Sequence, residues 1–457
     1  GPYERISQKI GTSSGTSSLL PFPPSLLKLS TCRFAFATQH TKQNLSQPPR
    51  CSTQFFQMRL SFSSLTASFL LAVPSATTSA FSSISRSNHH NNRLLSTTLS
   101  MSGGATLKPY IETLIAGDRS LTTDETKEAF SEILKGADEV QVGSLLTLLR
   151  QKGETPDEIA GMVQAMNDAC NSVDLGGQKL LDIVGTGGDG ADTINISTAS
   201  VVLAAACGCT VAKAGNRSVS SACGSADVLE ALGVKIDLSP EQVVKCVNKV
   251  GVAFMMAPVN HPAMRFVAPV RKKLGVRTCF NILGPMTNAA GAQRAVIGVF
   301  HPELLELMAG ALQKVGRVDH AVIIHGVGLD EISPLGPATI LEIKNTAAEG
   351  EPKLYETRQF EFDPESVGIP RCELIDLKGG GPKENAEKFE AVLQGGDHTD
   401  AKRDSIVLNA GVGCWVYGLT DSIEDGCELA RETLKSGKAS ELLQSWISAS
   451  QEIANAE

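Results

Sequence analysis

Four segments of the sequence carry residue types that could do chemistry together. The first is Asp182-Ile-Val-Gly-Thr-Gly-Gly-Asp-Gly190, followed by Thr193-Ile-Asn-Ile-Ser-Thr198. A short apolar run enters Gly185-Thr186-Gly187-Gly188-Asp189, where missing side chains let backbone amides close on phosphate oxygens. Thr193, Asn195, Ser197 and Thr198 then add side-chain donors where the next helix should begin, an end that favours anions. The spacing fits neither G-x-G-x-x-G nor G-x-x-x-x-G-K-[ST], so taken alone the segment could equally be a tight turn.

The second segment, Lys213-Ala-Gly-Asn-Arg-Ser-Val-Ser-Ser-Ala-Cys-Gly-Ser-Ala-Asp227, puts two cations, Lys213 and Arg217, beside Asn216, Ser220, Ser221 and Ser225. Such donors suit phosphate and ribose hydroxyls. Gly215 and Gly224 flank them as a loop around a ligand requires; a solvated polar loop is the bland alternative. The third joins His261-Pro-Ala-Met264, Pro269-Val-Arg271 and Phe280-Asn-Ile-Leu-Gly-Pro285, with Arg271 a candidate fork for a carboxylate or else a surface charge. In the fourth, His325-Gly-Val-Gly-Leu-Asp330-Glu331, adjacent acids on a glycine-rich loop could each reach a Mg2+ ion.

These loops need elements to position them. From Thr106 to Val173 apolar residues recur at helical spacing, and Thr122-x-x-Glu125 and Thr155-Pro-x-Glu158 read as capping boxes, which predicts a small all-helical domain over 105–173. Beyond it, Leu180–Val184, Thr210–Ala212, Val234–Ile236, Ala295–Val299 and His320–Ile324 read as buried strands alternating with helices. The fold class expected is therefore α/β, a larger domain over 174–457 built on a mainly parallel sheet flanked by helices. Residues 258–283 lack strand signals and are expected to form helices leaning on the first domain, leaving a cleft between the two.

Composition narrows the function further. Residues 1–100 carry nine Lys/Arg against the single acid Glu4, leaving 32 basic and 48 acidic residues beyond, a leader of +8 and a body of −16. So acidic a body repels nucleic acid, and any phosphate must be held by a local site. Two of the eleven cysteines lie in the leader, and the others show no C-x-x-C pair. Reduced thiols are expected, with Cys207 and Cys209 simply small apolar residues.

The leader, 1–104, reads as an address. Residues 1–57 lack periodicity and are left out of the fold reading, as untranslated or added sequence would be, and Met58 is taken as the start. The apolar stretch Leu65–Val73 and the small residues up to Ala80 have the shape of a signal peptide. The acid-free, Ser-, Asn- and Arg-containing stretch from Phe81 has transit-peptide composition. Joined at Ala80-Phe81, the two resemble the bipartite plastid presequence of algae. Stromal localisation is the expectation, and free thiols fit it better than secretion.

Taken in order, GTGGD with TINIST, K-x-GNR-x-x-SS-x-x-GSAD, HPAM through PVR and FN-x-LGP, then GLDE, the motifs closely resemble the anthranilate phosphoribosyltransferase family from Tyr110 to about Ile453. The resemblance implies a homodimer formed through the helical part and transfer from 5-phosphoribosyl 1-diphosphate to anthranilate in tryptophan synthesis. Carried over, Gly185, Gly188, Asp189, Thr193, Asn195, Ile196, Ser197, Thr198, Lys213, Gly215, Asn216, Arg217, Ser220, Ser221 and Ser225 would hold the donor. Ser197, Asp330 and Glu331 would bind Mg2+; Asn216 and Arg271 would face anthranilate, and His261 would lie near its access path. Two positions depart from the family: Ala214, where histidine is usual, and Ala289, where Asn-Pro is usual and which is read as a turn variation. The rivals are a pyrimidine nucleoside phosphorylase-like enzyme, which would not need the paired acids, and a non-catalytic nucleic-acid-binding homologue, which the acidic body disfavours.

Overall fold

The computed structural model describes residues 106–218, 221–395 and 400–456; the leader with Ala80 and Phe81, and the candidate Ser220, lie outside them. The chain's first described helices are α1 (Lys108–Ala116), α2 (Thr123–Leu134), α3 (Glu139–Lys152) and α4 (Pro156–Asp168). Thr122 and Thr155 each accept a hydrogen bond from the backbone three residues on, and Glu125 and Glu158 reach back, so both capping boxes form. Asp138 caps α3. Each such cap is worth about 1 kcal/mol. Inward-facing Phe130, Ile133, Leu145, Leu146, Leu149, Ile159 and Met162 close the bundle core. Gly161 lets α4 meet α2 backbone to backbone: a Cβ there would stand 2.3 Å from the Thr123 carbonyl oxygen.

Seven strands follow: β1 (Leu181–Gly185), β2 (Val211–Gly215), β3 (Val252–Met256), β4 (Arg294–Gly298), β5 (His320–His325), β6 (Ala338–Asn345) and β7 (Tyr355–Phe362). They form one sheet in the order β3-β2-β1-β4-β5-β6-β7, parallel through β5 and antiparallel at β6 and β7. The remaining helices are α5 (Ile196–Cys207), α6 (Ser225–Ala231), α7 (Pro240–Val250), α8 (Ala257–Asn260), α9 (Ala268–Leu274), α10 (Phe280–Leu283), α11 (Leu304–Val315), α12 (Pro382–Leu393), α13 (Ala401–Tyr417), α14 (Ile423–Lys435) and α15 (Lys438–Asn455). The period of two in the central strands divides the core. Val296, Val322 and Ile324 face the core shared with α5, α13, α14 and α15, whereas Ala295, Ile297, Ala321 and Ile323 face α11 and the helical bundle.

One expectation is corrected. Val234–Ile236 is not a strand: Gly233 turns left-handed at φ 93°, and the Lys235 amide donates to Ser450 Oγ of α15 instead of joining a ladder. Its apolar residues are buried against helices, and the third parallel strand is Val252–Met256. The sheet is mainly parallel, as expected, and β6 and β7 extend it as an antiparallel meander. Residues 258–283 break into α8, a 3-10 turn at Pro262–Phe266, α9 and α10. Their Val267, Val270, Phe280 and Leu283 share the bundle's core, and the Phe280 ring lies 5.6 Å from that of Phe130. No helix among the described residues is long and apolar enough to cross a membrane.

Candidate active site

The site is built where β1, β4 and β5 end side by side. The loop after β5 lays Asp330 across the tips of its neighbours, and glycines make room for it. A Cβ on Gly298 would stand 1.5 Å from the Asp330 carbonyl oxygen, and one on Gly185 would stand 2.1 Å from its Oδ2. Asp330 Oδ2 accepts from the Gly187 amide at 2.6 Å, and Glu331 Oε1 from the Ser197 amide at 3.1 Å. Gly187, Gly188 and Gly190 all take left-handed φ, between 67° and 83°, a backbone conformation that favours glycine.

Charge is poorly balanced there. Burial, and then the negative charge of Asp189, pushes the Asp330 carboxyl up to about 7. Glu331 is raised well above the usual range by burial and by Asp330 and Asp189. Lys213 is the buried cation beneath them: it is 1% exposed, its Nζ donates to the Ile183 carbonyl at 2.6 Å, and burial lowers its pKa while Asp182, Glu331 and Asp330 draw it back up. Three carboxylates against one lysine suit a divalent cation, which hard oxygen ligands prefer. Among the described residues no three such groups already stand in ligand geometry, so a cation would take its remaining ligands from water or a bound phosphate.

The second loop is tied to the first. Thr198 Oγ1 donates to Ser225 Oγ at 3.0 Å, and Asn195 Nδ2 to the Cys223 carbonyl at 3.0 Å. Thr193 forms a bridge with Lys378, and Ile196 opens α5. Gly215 ends β2 where a Cβ would meet the Phe254 ring at 2.5 Å. Asn216 Oδ1 accepts from the Arg217 amide, and Ser221 donates its amide to Ser218 Oγ. Arg217 is not a free cation for a ligand: it pairs with Asp227 at 3.0 Å and Glu230 at 2.8 Å, which hold it permanently charged. Ala214, at the histidine position, is half-buried with its amide 3.4 Å from Asp182 Oδ1.

Among the described residues, His261 and Arg271 make no direct hydrogen bond to these loops. Arg271 is half-buried, with its guanidinium 5.6 Å from the Phe280 ring centroid; it has no carboxylate partner among the described residues, and burial lowers its pKa. An unneutralised guanidinium in such a place is well prepared for a carboxylate ligand. Buried His261 shares a hydrogen bond with the Thr287 carbonyl at 2.9 Å and is held neutral by burial. Next to it Asn288 is a hub, donating to Asp182 at 2.7 Å and to the Ala212 carbonyl at 2.9 Å.

The structure adds residues that the sequence reading missed. Asn385 donates to Asn195 Oδ1 at 3.0 Å and accepts from the Gly380 amide at 2.7 Å, and Lys378 Nζ donates to the Ala191 carbonyl at 2.6 Å. The run Gly379-Gly-Gly-Pro382 ahead of a helix was the available signal. Arg277 donates to the Gly188 carbonyl.

Comparison with known proteins agrees with this geometry. A glycosyl transferase family helical bundle domain matches residues 108–170, and a glycosyl transferase family a/b domain matches 177–440. The anthranilate phosphoribosyltransferase of Methanosarcina acetivorans is 46% identical over 333 residues, 73% of this chain and 86% of its own length. The chain belongs to the anthranilate phosphoribosyltransferase family. The crystal structure of the family member from Thermus thermophilus covers 75% of this chain and 99% of its own at 42% identity, with a TM-score of 0.68. That of Saccharomyces cerevisiae, in complex with PRPP and Mg, covers 76% and 98% at 29% identity, with a TM-score of 0.69.

Proposed function

We propose that the chain transfers the phosphoribosyl group of 5-phosphoribosyl 1-diphosphate to anthranilate, giving N-(5-phosphoribosyl)anthranilate and diphosphate. The observation that carries this is the pair Asp330-Glu331 laid over the glycine tips of β1 and β4 beside Asp189. Related proteins bear the same activity in their names, and the yeast relative is solved with PRPP and Mg. A phosphorylase-like reading leaves the acids without a purpose.

Asp330, Glu331 and Ser197 would hold Mg2+, which when bound neutralises charge on the departing diphosphate. The chain's own part is positioning. The amides of Gly188, Asp189 and Gly190, with Thr193, Thr198, Asn216, Ser221 and Ser225, hold the donor with its anomeric carbon open to attack, and Arg271 fixes the anthranilate carboxylate. His261 lies on the acceptor's path. The aromatic amine is already neutral near pH 7, so its lone pair forms the new C–N bond as the C–O bond to diphosphate breaks; no base is needed before attack, and the acidic ammonium proton so formed is released to the departing diphosphate or to water. Loss of anthranilate fluorescence on adding enzyme, donor and Mg2+ tests the reading; no loss over hours at micromolar enzyme defeats it.

We further propose a homodimer through the helical domain. Ile111, Ile115, Val140, Leu148, Val270 and Leu274 line an open apolar groove of about 800 Å³, with Ile115 67% and Val140 76% exposed. A second copy of this face would cover them. Ile115→Asp with Val140→Asp should give a monomer by light scattering, and an unchanged mass excludes this face. Plastid localisation is proposed from the leader's composition; Phe81→Ala in a reporter fusion should block plastid import while leaving secretory targeting intact, and unchanged import excludes it.

A further inference from the structure

The geometry points to Arg277 as a positioning residue that brackets the glycine loop of the donor site. This rests on the proposed reading of that loop. Arg277 lies between α9 and α10, on the segment that packs with the helical bundle, yet its Nη2 donates to the carbonyl of Gly188. Gly188 has φ 83°, which favours glycine, and a Cβ there would stand 3.2 Å from Nη2, so the guanidinium lies close against the turn.

The other side of the guanidinium rests on a ring, its central carbon 4.4 Å from the centroid of Phe300. That platform is fastened to the same loop, because the Phe300 amide donates to Thr186 Oγ1 at 3.3 Å and the Thr186 amide to the Gly298 carbonyl at 2.9 Å. Arg277, Gly188, Thr186 and Phe300 therefore close a ring of contacts around the turn at Gly187. The turn is thereby tied to a segment that shares the bundle's core.

The charge is left over. Arg277 is exposed and has no carboxylate partner among the described residues, and residues 258–283 contain no acid. A carbonyl and a π face orient a guanidinium without neutralising it, so positive charge stays at the rim of a loop built for an anion. Arg271 is on the preceding helix of this same segment. Arg277 thereby also couples the acceptor's segment to the donor's loop, and a conservative lysine would keep the charge but lose the fork and the stacking.

The test follows hydrogen exchange at residues 186–190 in the full chain without substrate, alongside kinetics, for Arg277→Ala, Arg277→Lys and Phe300→Leu. Arg277→Ala should speed exchange there roughly 10-fold, as loss of one charge-assisted hydrogen bond and its stacking implies, and Phe300→Leu should do so by about 3-fold. The KM for donor should rise roughly 10-fold in Arg277→Ala with kcat and the KM for anthranilate within about 3-fold, and Arg277→Lys, which keeps the charge but loses the fork and the stacking, should recover neither donor KM nor protection. Unchanged exchange in both Arg277→Ala and Phe300→Leu overturns the bracket. Faster exchange with unchanged donor KM overturns its role in positioning. If wild-type protein fails to use donor and anthranilate at all, the functional reading falls, while the exchange data still decide whether Arg277 holds the loop.

Discussion

Two regions of this molecule bury carboxylates, and they do so in opposite ways. In the helical domain Glu158 is fully buried, and every direction is answered: Oε1 accepts from the Leu121 amide at 3.1 Å, and Oε2 from the Thr155 amide, Thr155 Oγ1 and Lys152 Nζ, the last at 2.8 Å. At the sheet tips Asp330 and Glu331 each have one backbone amide, face each other and Asp189, and are raised by burial and mutual repulsion. A buried charge that is fully paired is part of the fold; one left underpaired is kept for something that arrives later.

The largest effect should come from neutralising the second group. Asp330→Asn with Glu331→Gln preserves the oxygen acceptors for Gly187 and Ser197 but removes two charges that would hold Mg2+. Turnover should fall about 1,000-fold or more, roughly 4 kcal/mol of barrier. Stability without metal should rise, since the repulsion is relieved. A double variant with near-normal turnover at low Mg2+, or one that unfolds, breaks the contrast between the two regions.

Arg271 extends the contrast, because it too is underpaired. Arg271→Ala should weaken use of anthranilate by about 3 kcal/mol while changing donor KM little, since the lost partner is a desolvated carboxylate. An equal loss of donor affinity with acceptor use untouched assigns Arg271 to the other substrate.

Much of both regions is legible in the sequence, and the boundary of legibility is physical. Capping boxes at Thr122 and Thr155 are local, and the bundle's apolar spacing follows from helix period, so these can be read without the fold. The glycine loop and the acid pair are equally local as motifs. What cannot be read is pairing at long range: Asn195 meets Asn385 190 positions away, and Arg277 meets Gly188 across 89. Val234–Ile236 and Val252–Met256 look alike as short apolar runs, and only the bond of Lys235 to Ser450 decides which is not a strand. The edge strand β7 escaped because most of its side chains are exposed, leaving no buried run. Nor does any local signal show that Lys213 donates to the Ile183 carbonyl or that Arg217 pairs with Asp227 and Glu230.

The structural carboxylate gives the next smaller effect. Glu158→Gln keeps shape but loses the charge that answers Lys152 and turns one acceptor into a donor facing the Thr155 amide. Because Lys152 is 26% exposed and can be hydrated, the cost should lie near the lower end for a broken buried pair, about 2–3 kcal/mol in urea unfolding. Turnover at saturating substrates should hardly change. Lost turnover with unchanged stability would mean that Glu158 belongs with the site acids.

The smallest effect separates the regions by pH. Asp182, beneath the site, accepts from Asn288 and is pushed up to about 6 by burial, with Lys213 and Asn288 pulling it partly back. A carboxyl that holds its proton more tightly folded than unfolded takes up protons on folding between about pH 4 and pH 6. Its contribution to stability is therefore greatest below that window, declines as pH rises through it, and is flat above it. Asp182→Asn removes this titration. Whatever constant cost the variant has from leaving Lys213 without its neighbour, the difference in unfolding free energy, variant minus wild type, should grow in the variant's favour by about 2 kcal/mol from pH 4 to pH 6.5. Parallel stability profiles for Asp182→Asn and wild type would show that burial there is already compensated, and that the underpaired charge is confined to the loop acids.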